Sequence, residues 1–134
     1  MNSHLKYDLL NKEFNVTGFY AGIKNDQLKG IAQVKVDPFK SSVHYKFSVF
    51  TPTMEAEILG RSNRQSGIVN YIPRDVILRN DGGVVIVAEY YNIEREFYND
   101  YYNFNHSYVK YYYRYSDVLF TSVNPDCTFD WYEV

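Results

Sequence analysis

Asp75-Val76-Ile77-Leu78-Arg79-Asn80-Asp81-Gly82-Gly83-Val84-Val85-Ile86-Val87-Ala88-Glu89-Tyr90-Tyr91 is the stretch that decides the fold. Two runs rich in Val and Ile flank an Asn-Asp-Gly-Gly cluster. Val and Ile suit a pleated, half-buried surface. An Asp-Gly pair supplies the positive φ that a tight primed turn requires. The stretch therefore reads as an antiparallel hairpin. Its second strand is apolar at every position from Val84 to Ala88, so both faces are expected to be covered, as in the centre of a sheet. That strand is expected to run on through Asn92-Ile93-Glu94-Arg95-Glu96.

Toward the C-terminus, residues 97–107 are rich in Asn and Tyr and read as a long loop. Tyr108-Val109-Lys110-Tyr111-Tyr112-Tyr113-Arg114-Tyr115 is a further strand with aromatic rings on both faces, and Ser116-Asp117 is expected to interrupt it. Residues 118–123 and 128–132 form a last hairpin around Asn124-Pro125-Asp126-Cys127.

Toward the N-terminus, residues 43–49 alternate, with Val43, Tyr45, Phe47 and Val49 expected to face inward. Residues 29–36 alternate as well, Ile31 and Gln33 on one side and Ala32, Val34 and Val36 on the other. Pro38 ends that strand because it has no N–H for a ladder. Residues 14–20 form the first expected strand, with Phe14, Val16 and Gly18 opposite Asn15, Thr17 and Phe19. Residues 21–28 read as the loop between the two. One helix is expected near residues 53–59: Thr51 can cap it, Pro52 suits the first position, and Gly60 would stop it.

Composition agrees. The chain of 134 residues suits one domain, and its aromatic content of 19%, with 15 Tyr and 9 Phe, favours strands. The expectation is an all-β domain over residues 1–134, with seven or eight strands in antiparallel hairpins or a meander, arranged as propeller-like blades or as an open sheet or sandwich, and one short helix. It admits a division into two blade-like units, 14–66 and 67–134. No apolar run is long enough for a transmembrane helix. Residues 1–6 lack the apolar stretch of a signal peptide, which leaves a cytoplasmic location, or a leader removed or lying upstream.

A net charge of −2 offers no footprint for nucleic acid. Residues 1–67 carry nine Lys/Arg against six Asp/Glu, and residues 68–134 five against ten, an asymmetry compatible with head-to-tail self-association, though more simply the solvated surfaces of two sheet regions. The single Cys127 excludes an internal disulfide and a cysteine metal cage.

Residues 75–91 and 111–134, with Phe14-Asn15-Val16-Thr17-Gly18-Phe19-Tyr20 and residues 29–38, resemble repeats of large uncharacterised bacterial proteins that look like β-propellers and are exported. The shared pattern is a strand, an Asp-Gly-Gly turn, a long strand ending in aromatics, and an insertion. A Tyr-x-Tyr-x-Asp strand and a closing hairpin with an Asn-Pro-Asp-Gly-like turn and a Trp follow. The resemblance implies a propeller-blade-like fold, a bacterial source, and a periplasmic or cell-surface location. It brings no catalytic residue. Cys127 departs from it, standing where the turn would take Gly. Two blade-like units cannot close a propeller of 4–8 blades, so the resemblance implies a fragment or a truncated relative whose sheet edges need cover.

Ten Tyr fall between Tyr90 and Tyr115. Cross-strand packing accounts for those on the strands. Tyr98, Tyr101 and Tyr102, in the expected loop, are less easily explained that way, and with Tyr108 they are the candidate ligand-binding residues, a stacking platform for sugar rings. Lys110 and Arg114, set against Glu94, Glu96, Asp100 and Asp117, are too few cations for a nucleic-acid groove. Glu94 and Glu96 share a strand face about 7 Å apart, the spacing of a glycosidase pair, but acids beside Arg95 on an edge are ordinarily a solvated face. His4, His44 and His106 are too far apart for a metal site. No metal site and no cofactor are expected, and no catalytic residue is assigned. The leading functional expectation is a non-catalytic interaction or structural module, binding itself or another protein. A glycan-binding module is the alternative, and a carbohydrate-active enzyme using Glu94 or Glu96 is the third.

Overall fold

The computed structural model describes residues 3–23, 26–62, 67–99 and 107–134. The fold is all-β and antiparallel, with one helix. β1 (Ser3–Asp8), β2 (Glu13–Ala21), β3 (Leu28–Asp37) and β4 (Ser42–Val49) form one four-stranded meander. After α1 (Pro52–Ser62), β5 (Tyr71–Leu78), β6 (Val84–Asn99), β7 (Ser107–Val123) and β8 (Phe129–Glu133) form a second. The hairpin at 75–91 is present, and β6 lies in the interior of its sheet between β5 and β7.

Local chemistry sets the turns, and each sheet uses one turn design twice. In the first sheet, four residues join β1 to β2 and β3 to β4. Asp8 Oδ1 accepts the N–H groups of Leu10 and Asn11, and Asp37 Oδ1 accepts those of Phe39 and Lys40. Each turn closes on a left-handed residue four places after its Asp, Lys12 (φ 55°) and Ser41 (φ 51°). In the second sheet the loops are one residue longer. Arg79 and Gly83 exchange backbone bonds with the loop as Asn124 and Thr128 do in the other. Gly82 (φ 85°) and Cys127 (φ 68°) fill the same left-handed place. Cys127 thus adopts the backbone that Gly supplies in the sister turn. Gly83 does not share the positive φ, so the Asp-Gly-Gly loop is not the primed two-residue turn expected.

The second sheet faces the core with apolar rungs. Val76, Val84, Ile86, Ala88, Leu119 and Val123 are buried, and β4's successor Phe50 stacks on Phe129 with ring centroids 5.8 Å apart. Val85 and Val87, on the far face of β6, are half-buried. The helix closes one end of the core with Met54 and Ile58. Thr51 Oγ1 accepts the N–H of Met54 as its cap.

The first sheet is turned the other way. Its register places Lys6-Asn15-Lys35-His44 and His4-Thr17-Gln33-Lys46 on two adjacent rungs facing the second sheet. Phe19 and Ile31 follow on the next rung and enter the core. The polar side chains tether one sheet to the other. Lys6 pairs with Asp75 at 2.9 Å, and His4 Nε2 lies 3.0 Å from the Pro73 carbonyl. Lys35 donates to the Gly82 carbonyl and Lys46 to that of Asp126. Ser48 donates to the carbonyl of Cys127, with its Oγ 3.1 Å from the sulfur.

Four expectations need correction, the last only in part. Val43, Tyr45, Phe47 and Val49 point outward, because the polar partners of His4, Lys35, Lys46 and Ser48 lie on the second sheet and hold the opposite face in. β1 precedes the strand expected first. α1 continues through Gly60, around which nothing lies within 4 Å of a would-be Cβ, and ends at Ser62. β7 is one strand through Ser116-Asp117, but the expected interruption is present as a register shift there, where neither residue has a partner on β6.

Candidate functional site

The second sheet is uneven in length, and that unevenness leaves part of β6 and β7 without flanking strands. β6 and β7 have 16 and 17 residues, whereas β5 and β8 have 8 and 5. Beyond a register shift next to Tyr90, β6 and β7 continue as a two-stranded ribbon, residues 91–99 paired with 107–115. At the rise of an extended strand this ribbon is about 30 Å long. An isolated two-stranded hairpin is marginally stable in water, so its side chains must supply what flanking strands do not.

One face of the ribbon is aromatic. The rungs are Tyr91-Tyr115, Ile93-Tyr113, Arg95-Tyr111 and Phe97-Val109. Tyr91 stacks on Tyr113 (6.3 Å between centroids, planes 19° apart) and leans on Tyr115 at 5.1 Å. Arg74 and Arg95 lie over the rings of Tyr115 and Tyr111, each 5.8 Å from the centroid, in cation–π contact. Desolvation first, and then the neighbouring Tyr115 and Tyr113 hydroxyls, push the Tyr91 pKa up. Phe97 (77% exposed) and Tyr113 (60% exposed) nevertheless present most of their surface to solvent.

The other face is polar. Its rungs are Asn92-Arg114, Glu94-Tyr112, Glu96-Lys110 and Tyr98-Tyr108. Arg114 pairs with Glu94 at 2.9 Å, and Lys110 sits 4.9 Å above the Tyr112 ring. Tyr98 donates to Glu96 at 2.6 Å. The hydrogen bonds from Tyr98 and then Tyr112 hold the Glu96 carboxyl below its usual range, and the same carboxylate pushes the Tyr98 hydroxyl up. Tyr98 and Tyr108 stack nearly parallel, 5.2 Å apart with planes 10° apart. At the root of the ribbon a shallow depression of about 700 Å³ is lined by Tyr90, Asn92, Glu94, Arg114 and Ser116, with Tyr113 and Tyr115.

Of the candidate ligand residues, Tyr98 and Tyr108 are brought together; Tyr101 and Tyr102 lie outside the described residues. The strand tyrosines were expected to be consumed by packing, yet Tyr111, Tyr113 and Tyr115 are at least half exposed. The missed signal was length. A strand running from Val84 to Glu96 cannot be flanked along its whole course by one running from Asp75 to Arg79. Glu94 and Glu96 do share a face; Glu94 is ion-paired with Arg114, and the Glu96 carboxyl is held below its usual range, whereas a general acid needs a raised one. Glu89 is bonded to Arg74 at 2.9 Å. Among the described residues no group of His, Cys, Asp and Glu could hold a metal ion, and no helix is long and apolar enough to cross a membrane.

A second exposed surface is the outward face of the first sheet. Its rungs are Tyr7-Phe14-Val36-Val43, Leu5-Val16-Val34-Tyr45, Ser3-Gly18-Ala32-Phe47 and Tyr20-Gly30-Val49. No charged side chain occurs in them. Gly30 lets Tyr20 and the Ser48 backbone approach, since a Cβ there would meet the Ser48 carbonyl oxygen at 1.8 Å and the Tyr20 ring at 2.9 Å. Tyr20 then packs edge-on against Phe47, centroids 5.3 Å apart.

No protein-family model, curated protein or solved structure matches the chain.

Proposed function

We propose that the chain is a non-catalytic interaction module that grips a partner protein with the aromatic face of its β6–β7 ribbon. The observation that carries this reading is the exposure of Phe97, Tyr111, Tyr113 and Tyr115 along one side of an unflanked ribbon. Tyr and Phe are enriched at protein interfaces because they offer large, stiff apolar area at low entropic cost. A partner laid along that side would also supply the cover that flanking strands give elsewhere. The resemblance to exported bacterial repeats supports a periplasmic or cell-surface setting for the module. The test is capture from the source cells by the immobilised chain and by its Phe97→Ser/Tyr113→Ser variant, both shown to be folded by circular dichroism. The wild type is expected to retain proteins that the variant does not. Identical captured sets would end this reading.

A second reading, glycan binding, is favoured by the parallel Tyr98–Tyr108 pair with the Glu96 carboxylate beside it. A sugar ring stacks on such rings while a carboxylate accepts its hydroxyls. The two readings use opposite faces of one ribbon, so they separate cleanly. Glycan-array binding abolished by Tyr108→Ala but not by Tyr113→Ser supports the second, and no binding at millimolar sugar ends it.

A further inference from the structure

We infer that the outward face of the β1–β4 sheet is a homodimer surface, covered in solution by the same face of a second copy. The inference is independent of the ribbon and goes beyond it, because it assigns the occupant of a different surface. Four adjacent strands about 4.8 Å apart, each about seven residues long with alternate side chains on the face, present roughly 20 by 23 Å. Two such faces together cover roughly 900 Å² in plan, close to the roughly 1,000 Å² that a specific interface needs. Rings standing out of that plane, and Leu9, Leu10 and Phe39 exposed in the turns at its end, add to the accessible area. Single exposed apolar residues are ordinary, but a continuous patch of this size on a monomer marks an interaction site.

Composition chooses the partner. Interfaces with foreign, exchangeable partners are about as polar as any protein surface, whereas homodimer interfaces are more apolar. This face carries no charge and no amide in its four rungs, so it offers a foreign partner little to recognise beyond shape. The opposite outer face of the molecule, on the β5–β8 sheet, is a poorer match. It bears the Arg74–Glu89 and Arg79–Asp130 ion pairs, which a head-to-tail contact would desolvate. Two copies related by a twofold axis give an isologous sandwich of sheet on sheet, the closed arrangement.

Sedimentation velocity on the full chain over a concentration series tests the inference. The expected result is a reversible monomer–dimer equilibrium that stops at two and persists in 1 M NaCl. Tyr45→Lys places a charge from each copy in the apolar contact and should raise Kd about a hundredfold or more, while Phe97→Ser on the ribbon leaves it unchanged. Hydroxyl-radical footprinting of the wild type gives a readout that needs no variant: Tyr45 and Phe47 should gain protection as the dimer fills. A chain monomeric at 0.1 mM, open-ended growth, association lost in salt, or a dimer indifferent to Tyr45→Lys would each overturn it.

Discussion

The two sheets have the same strand order and the same number of strands, yet they are inside out relative to each other. The β5–β8 sheet turns Val76, Val84, Ile86 and Leu119 to the core, and most of its charged pairs lie outside. The β1–β4 sheet turns Asn15, Thr17, Gln33 and Ser48 inward, all buried, and leaves Tyr45 and Phe47 in solvent. Alternation dictates that a strand has two unlike faces. Which face goes in depends on what the opposing surface can satisfy. Here Lys6, Lys35, Lys46 and Ser48 all find carboxylates or carbonyls on the second sheet. Those tethers settle the orientation against the pull of apolar burial.

The largest consequence is for stability. Ile86 is fully buried in the central strand of the second sheet, so Ile86→Ala should cost about 3–4 kcal/mol in lost transfer energy and cavity. Phe47→Ala removes a larger side chain from the outward face of the first sheet and should cost under about 1 kcal/mol in dilute solution, where copies are single. Urea unfolding of both variants measures the gap, and equal losses would break the comparison.

Acid tests what the sheets share. Asp8, Asp37, Asp81 and Asp126 sit at the β1–β2, β3–β4, β5–β6 and β7–β8 turns, and all four have pKa values below the usual 3.8. Burial pushes Asp8 up, but the Asn11 side chain and the N–H groups of Asn11 and Leu10 more than offset it. The backbone N–H of Lys40 holds Asp37 down, that of Gly83 holds Asp81 down, and Thr128 does the same for Asp126. A carboxyl depressed in the folded state stabilises it above the unfolded pKa and loses that contribution as pH falls through the folded one. The urea midpoint should therefore be level above about pH 5 and fall below about pH 4. Asp8→Asn should flatten the fall more than Asp37→Asn, because Asp8 is the buried one and accepts three bonds. Equal flattening would remove the distinction.

The smallest effect concerns a polar atom on the apolar side. Thr121 is fully buried on the rung of Val76 and Ile86, and its Oγ1 has no hydrogen-bond partner among the described residues. Thr121→Val should raise stability by about 1 kcal/mol. A loss of that size would show that the hydroxyl is satisfied and the rung is not wholly apolar in character.

Much of this was legible in the residues. The Asp-Gly-Gly loop between two Val/Ile runs marked the central hairpin, and the alternation at 29–36 and 43–49 marked two more strands. Alternation did not reveal direction: Val43, Tyr45, Phe47 and Val49 look like a core face, and the contacts of His4, Lys35, Lys46 and Ser48 with the second sheet show otherwise. β1 was hidden because Lys6 and Asp8 are weak strand formers in a short segment that gains its strength from pairing with β2. For the site, Tyr98 could be named from an apparent loop and Tyr108 from the strand after it, but their stacking required the register of β6 on β7. The aromatic face of the ribbon was readable only as a disparity in strand length.

The grip of Ser48 on Cys127 has a practical consequence. The sole thiol of the chain is buried at the seam between the two sheets, in a turn held by a hydroxyl from the opposite side. A bulky alkylating reagent can reach it only when that seam parts. The rate of labelling is therefore an intrinsic clock for breathing, readable by mass spectrometry without adding a dye, a tag or a mutation.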